Sequence, residues 1–69
     1  MRTGKVTFKI HSGTDKAAGC VNISKTFDGG AKIARGYSRK NPGVTFSVFS
    51  QDETGFTYLV AQYLNGESI

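Results

Sequence analysis

The chain of 69 residues has one cysteine, one histidine and one proline, and it has no tryptophan. Cys20 alone cannot close a disulfide within the chain, and Cys20 with His11 cannot complete a four-ligand structural zinc site. Because a chain this short buries a modest core, we expect close packing or self-association as a homodimer to stabilise it. We expect neither a metal nor a cofactor.

Long apolar runs are also missing. No stretch approaches the roughly 18 consecutive apolar residues of a membrane-spanning helix, and no secretory apolar segment is seen. An unpaired cysteine fits a reducing compartment. The sequence therefore predicts a cytoplasmic protein that does not enter a membrane.

Basic residues are absent after Lys40. All nine Lys and Arg lie within residues 1–41 beside two acids, a net charge of +7, whereas residues 42–69 carry three acids and no base, a net charge of −3. Summed charge steers association even without specific contacts, so this asymmetry favours an anionic partner. A net charge also serves solubility, which is the alternative interpretation.

The remaining composition, 38% hydrophobic with eight aromatic residues, is typical of one globular domain, and we expect residues 1–69 to form it. Alternating residues predict a strand over 5–10 and a second, paired strand over 20–25. Over 27–40 the period becomes helical, and Asn41 before Pro42 ends the helix. The expected inner face of this helix consists of Phe27, Ala31, Ala34 and Tyr37, with Ile33 flanking.

Two further strands are predicted on either side of the polar turn QDETG. The runs VTFSVFS and FTYLVAQYL give the strongest hairpin signal in the chain, and the second run is apolar on both faces. We expect residues 67–69 to fray after Asn65-Gly66. The predicted fold class is α+β: a small antiparallel sheet in the order β-β-α-β-β with one helix packed on one face.

The stretch GCVNISKT, residues 19–26, is one substitution away from the G-x-x-x-x-G-K-[ST] loop that holds nucleotide phosphates. That loop needs glycine where Ser24 stands, because backbone N–H groups must curl around the anion. VNI is also strand-like where a loop is required. We therefore interpret the match as accidental.

Basic residues at helical spacing form one candidate binding surface. Lys32, Arg35 and Arg39, with Lys40 beside them, lie on the outer side of the predicted helix. On a nucleic-acid-binding module they would contact phosphates, although any amphipathic helix has a charged outer face. The nucleic-acid hypothesis adds further lysines to form one continuous patch: Lys5, Lys9 and Lys25.

Aromatic residues form the other candidate surface. The leading hypothesis is a small non-enzymatic accessory protein, of regulator or inhibitor type, that covers a protein partner with the second apolar face of its last strand. The candidate anchors are Phe49, Tyr58 and Tyr63, because rigid aromatic side chains give much contact area. Phe49 breaks the inward alternation of its strand, so we expect it to be exposed.

A sheet with one helix resembles the architecture of many small phage- or plasmid-encoded accessory and inhibitor proteins, and equally that of small nucleic-acid-binding modules. PGVTFSVF also resembles the aromatic strand of the RNA-recognition motif through Gly43, Phe46 and Phe49. Pro42 stands where that motif has a base, and Val44 stands where it has an aromatic residue. Core packing is therefore the simpler interpretation of these aromatics.

Catalysis is the least supported class of function. His11 and Cys20 are the only plausible base and nucleophile, and only Asp15 is available to orient them. A small antiparallel fold also offers little concave volume for a substrate. We expect Cys20 to be a small buried residue, His11 to lie at the surface, and the protein not to be an enzyme.

Overall fold

The computed structural model describes residues 6–13 and 19–69. Within these ranges one helix packs against a five-stranded antiparallel sheet with the strand order β2-β1-β3-β4-β5. The α+β class is confirmed, and a fifth strand is added to the predicted four. The elements are β1 (Thr7–Ser12), β2 (Cys20–Ser24), α1 (Phe27–Lys40), β3 (Phe46–Gln51), β4 (Thr57–Leu64) and β5 (Glu67–Ser68).

The core lies between α1 and one face of the sheet. Its buried members are Ile10, Ala34, Phe46, Val48 and Tyr63. Since side chains alternate along a strand and paired residues share a face, the neighbours of these strand residues point away from α1. We call that opposite side the open face, because no described helix or strand lies over it.

The helix begins where the sequence predicts. Thr26 is the N-cap, and its hydroxyl oxygen accepts a hydrogen bond from the Gly29 N–H at 3.0 Å. Asn41 caps the other end by donating to the Tyr37 carbonyl, and Pro42 follows. Basic residues in the last turn suit the negative end of the helix dipole.

The buried stripe of α1 lies on the expected side of the helix, but small residues form its centre. Gly30, Ala34 and Ser38 are buried, and Ala31, Ile33 and Tyr37 are partly buried against the core as expected. Phe27 is exposed at one end of the helix, where its ring contacts Phe8 edge-to-face. Small residues form the centre because the helix approaches the sheet closely at Gly30, where a Cβ atom would lie 3.3 Å from the Cβ of Phe8. Hydrophobic periodicity alone overlooked this glycine and the buried serine.

Gly30 and Gly36 should therefore respond oppositely to alanine. A Cβ at Gly36 meets no atom within 4 Å, so Gly36→Ala should raise the free energy of unfolding by about 0.5–1 kcal/mol through helix propensity. At Gly30 the same propensity gain is offset by overpacking against Phe8 and Val48. Urea denaturation should find Gly30→Ala less stable than Gly36→Ala by about 1 kcal/mol or more. Equal stabilisation by both changes would contradict this account.

The expectation that residues 67–69 fray is wrong. Glu67 and Ser68 form β5 opposite Leu64 and Tyr63, and the Ile69 N–H donates to the Gln62 carbonyl at 3.0 Å. Asn65 and Gly66 turn the chain with φ values of 55° and 83°. Asn-Gly with both φ values positive is the favoured two-residue hairpin turn.

An irregularity in the β3–β4 pairing changes the face of several side chains. The register shifts between Val48, which pairs with Ala61, and Phe49, which pairs with Leu59, leaving Val60 as the extra residue. Tyr58 therefore pairs with Ser50 on the helix side of the sheet, and Leu59 lies on the open face. The simple alternation predicted for FTYLVAQYL is wrong at this point.

No helix in the described ranges is both long and apolar enough to cross a membrane.

Candidate interaction surfaces

The N-terminal half of β4 forms a free edge of the sheet. On one side β4 pairs with β3, but on the other side β5 opposes only Tyr63 and Leu64, and Ile69 reaches Gln62. Residues 58–61 therefore meet no strand of the described chain on their second edge. Such an edge presents backbone groups that can pair with another chain.

The side chains along this edge are apolar and exposed. Tyr58, Leu59 and Val60 are 54%, 49% and 41% exposed, and no residue from 57 to 61 carries a charge. A shallow groove beside the edge is lined by Leu59, Val60, Ala61, Gln62 and Ile69. Proteins usually protect free edges with lysine, proline, very short strands or bulges, and of these only the extra residue Val60 is present at residues 58–61.

The β3–β4 turn holds a second aromatic residue beside this edge. The Asp52 carboxylate accepts hydrogen bonds from the Thr54 N–H at 2.9 Å, the Phe56 N–H at 3.1 Å and the Thr54 hydroxyl. Gly55 completes the turn with a φ of 92°. Phe56, which is 58% exposed, then contacts Tyr58 edge-to-face with ring centroids 4.7 Å apart.

The Asp52 turn should make stability depend on pH. The hydrogen bond from the Thr54 hydroxyl, followed by those from backbone N–H groups, lowers the pKa of Asp52 below its ordinary 3.8. Its stabilisation is therefore present above that ordinary value and is lost as pH falls through the lowered pKa in the folded state. Between about pH 5 and pH 2, the melting temperature of Asp52→Asn should fall less than that of the wild type. Glu67→Gln is the control, and parallel profiles for wild type and Asp52→Asn would refute the prediction.

At the opposite edge of the sheet, some backbone groups of β2 already have hydrogen-bond partners in nearby side chains. The Ile23 N–H donates to the Asn22 side-chain oxygen at 2.8 Å, and the Val21 carbonyl accepts from the Tyr37 hydroxyl at 3.4 Å. These contacts occupy backbone groups that an added strand would need. The two edges of the sheet therefore differ in their capacity to pair.

Two of the three predicted aromatic anchors are buried. Phe49 is 7% exposed on the open face and packs edge-on against the His11 ring at 5.1 Å, so the expectation that it is exposed is wrong. Tyr63 is 5% exposed in the core, with the Arg35 guanidinium 5.6 Å from its ring centroid. Tyr58 is the exposed member of the set, and sequence reasoning missed Phe56, Leu59 and Val60 beside it. Their signal was the uncharged run after the turn.

Phe46 and Phe49 do not form an aromatic platform of the RNA-recognition type. Phe46 stacks on Tyr37 beneath the helix, and Phe49 lies on the opposite face. Both are buried. Core packing is therefore the role that these contacts support.

The predicted basic residues do not all share one surface. Lys32, Arg35, Arg39 and Lys40 are exposed on α1, and exposed Lys25 precedes the helix. Lys9, however, pairs with Phe49 and Ile23 on the open face, on the far side of the sheet from α1. One continuous patch including Lys9 is therefore wrong, and Lys5 lies outside the described residues.

The candidate base and nucleophile lie opposite each other on neighbouring strands. His11 pairs with Cys20 across β1 and β2, but the Cys20 thiol donates to the Asn22 carbonyl at 3.3 Å. His11 is buried and Cys20 is exposed, the reverse of both expectations. Asp15 lies outside the described residues.

The residues that resemble a phosphate-binding loop form a strand. Cys20–Ser24 is the antiparallel edge strand β2, and Thr26 caps α1 with its own hydroxyl. A phosphate loop needs its N–H groups directed around an anion, and here the Gly29 N–H is occupied by Thr26. This geometry supports the accidental interpretation.

No family model matches the chain, and neither a curated protein nor a solved structure matches it significantly. Function must therefore be inferred from the surfaces themselves.

Proposed function

We propose that this chain is a small non-enzymatic binding protein that captures an extended apolar segment of another protein along the free edge of β4. The observation that carries the proposal is the unpaired, uncharged edge at residues 58–61. An added strand gains affinity from main-chain hydrogen bonds and specificity from side chains on alternate faces. Tyr58 on the helix side and Leu59 on the open face supply such contacts.

The charges around the edge define the partner further. Asp52 and Glu53 lie in the hairpin turn at one end of the edge, and Glu67 lies on β5 at the other. The segment from residue 42 onward has no basic residue. A captured segment with Lys or Arg on its flanks is therefore favoured, because complementary charge steers the encounter.

The same charges argue against a second copy on this edge. Two copies paired antiparallel along residues 58–61 would bring β5 of each against the hairpin turn of the other. Glu67 would then approach Asp52 and Glu53, and like charges disfavour such a contact. These charges favour a different protein over a second copy of this chain as the partner, as expected of a regulator or inhibitor. The exposed, unpaired Cys20 supports a cytoplasmic setting.

A peptide titration followed by NMR tests the proposal. The probe is a peptide of about nine residues with alternating valine and threonine and two lysines at each end; a second peptide replaces the lysines with glutamates. We expect amide shifts at residues 58–61 and Ile69 with the first peptide, and binding at least about fivefold weaker with the second.

Two matched variants locate the interface. Leu59→Lys places a protecting charge on the β4 edge and should weaken binding by about tenfold or more. Ile23→Lys makes the same change on the β2 edge, at a residue that is also about half exposed, and should leave binding unchanged. Shifts that map to β2, no binding of either peptide, or a dimer that Leu59→Lys dissociates would each overturn the proposal.

A further inference from the structure

The outer side of α1 is uniformly cationic over its last three turns. Among residues 31–40, the exposed side chains are those of Lys32, Arg35, Arg39 and Lys40, and no other residue there is exposed. The helix has one acid, Asp28, in its first turn. We call these four residues the basic helix face.

Two of the four cations, Arg35 and Arg39, contact β4 and the β4–β5 turn beneath the helix. The Arg35 guanidinium lies 5.6 Å from the centre of the Tyr63 ring. The Arg39 side chain covers the β4–β5 turn so closely that a Cβ at Gly66 would lie 2.5 Å from its Cγ. The two arginines are therefore ordered one turn apart on the same flank of α1, and less entropy is lost when they bind an anion.

The other two cations flank a groove. Lys32 and Lys40 are separated by two turns, about 12 Å along the axis, and Gly36 lies between them. This groove is lined by Asn22, Lys32, Ile33, Gly36, Tyr37 and Lys40. Gly36 has no side chain, so the space between the two lysines stays open. Because glycine disfavours a helix, this residue lowers the stability of α1.

We propose that the basic helix face binds the phosphate backbone of a nucleic acid, independently of the β4 edge. Cations three and four residues apart repel each other and destabilise a helix, and phosphates would relieve that repulsion. Arginine matches phosphate with paired N–H donors, and lysine contributes as a point charge. The chain would then hold a protein segment and a nucleic acid on separate surfaces.

The chemistry of the basic helix face favours a phosphate backbone over other anionic partners. A protein interface needs an apolar centre, and the exposed residues here are all charged. An amphipathic helix that binds a membrane inserts its apolar side, which α1 packs against the sheet. A phosphate backbone requires neither feature.

Fluorescence anisotropy of labelled single- and double-stranded DNA and RNA of about 20 nucleotides tests the proposal, at about 50 and 200 mM salt. We expect roughly micromolar binding at the lower salt, with log K falling against log [salt] at a slope of about −3. Lys32→Gln should weaken binding by about threefold to tenfold and reduce the slope by about one. Lys32→Gln with Lys40→Gln should reduce the slope by about two.

Lys9→Gln is the matched control, because it removes one positive charge from the open face. It should change the affinity by less than about twofold. Leu59→Lys on the β4 edge should not weaken nucleic-acid binding. The experiment therefore distinguishes a failure of this proposal from a failure of the proposed function. The proposal is overturned if folded protein binds none of the probes, or if Lys9→Gln weakens binding as much as Lys32→Gln. Preference for vesicles with about 30% phosphatidylserine, or for a polyglutamate peptide, would overturn it as well.

Discussion

Replacing Gly66 with alanine is expected to lower the free energy of unfolding by about 2–4 kcal/mol, measured by urea denaturation. Two effects combine at this residue. Gly66 has a φ of 83°, where a side chain strains the backbone by about 1–2 kcal/mol. The new Cβ would also lie 2.5 Å from the Cγ of Arg39 and 2.8 Å from its Nε, so the arginine must move.

Gly43 provides a matched control for the backbone effect. Its φ is also 83°, but a Cβ there meets no atom within 4 Å. Gly43→Ala should therefore cost only the strain of about 1–2 kcal/mol. Adding Arg39→Ala to Gly66→Ala should recover the steric part and bring the two alanine substitutions close together. Equal losses at Gly43 and Gly66 would show that the Arg39 contact contributes nothing.

The helix was predictable because several local signals agree. The apolar period, the Thr26 cap and the Asn41-Pro42 stop all depend on residues within one or two turns of each other. The observed helix, Phe27–Lys40, has the predicted bounds. The first four strands were predictable for the same reason, since β1 and β2, and likewise β3 and β4, are close in sequence.

The faces of β4 were not predictable from alternation. An extra residue in one strand exists only relative to the partner strand, so the sequence of β4 alone gives no signal for the shift at Val60. This shift puts Leu59 on the opposite face from Ala61 and Tyr63 and pairs Leu59 with buried Phe49. The prediction that Phe49 and Tyr63 anchor a partner did not anticipate their burial, because neighbouring strands and α1 determine which side chains are covered.

The last strand was missed although its signal was present. Asn65-Gly66 is a strong hairpin signal, but only three residues follow it in this sequence. The contacts that secure the strand come from residues distant in the chain. The Gly43 N–H donates to the Asn65 side chain, and the Gly66 N–H donates to the Ser38 hydroxyl. The position of Lys9 away from α1 likewise depends on how distant strands pair.

Ser38→Ala is expected to lower the free energy of unfolding by about 1–2 kcal/mol, because it removes a buried hydrogen bond between α1 and the β4–β5 turn. The hydroxyl of Ser38 is fully buried, donates to the Arg35 carbonyl at 2.9 Å and accepts from the Gly66 N–H at 2.7 Å. Removing it leaves the Gly66 N–H without that acceptor, a loss of about 1–3 kcal/mol. The better helix propensity of alanine offsets roughly 0.5 kcal/mol of this loss.

Amide hydrogen exchange separates this mechanism from a general loss of stability. In Ser38→Ala the Gly66 amide should exchange much faster than in the wild type, while amides in the β1–β3 pairing change only as the global stability does. Ser68→Ala, an exposed serine on β5, should alter neither quantity. If the Gly66 amide keeps its protection in Ser38→Ala, the Ser38 hydroxyl does not hold the turn, and the prediction is wrong.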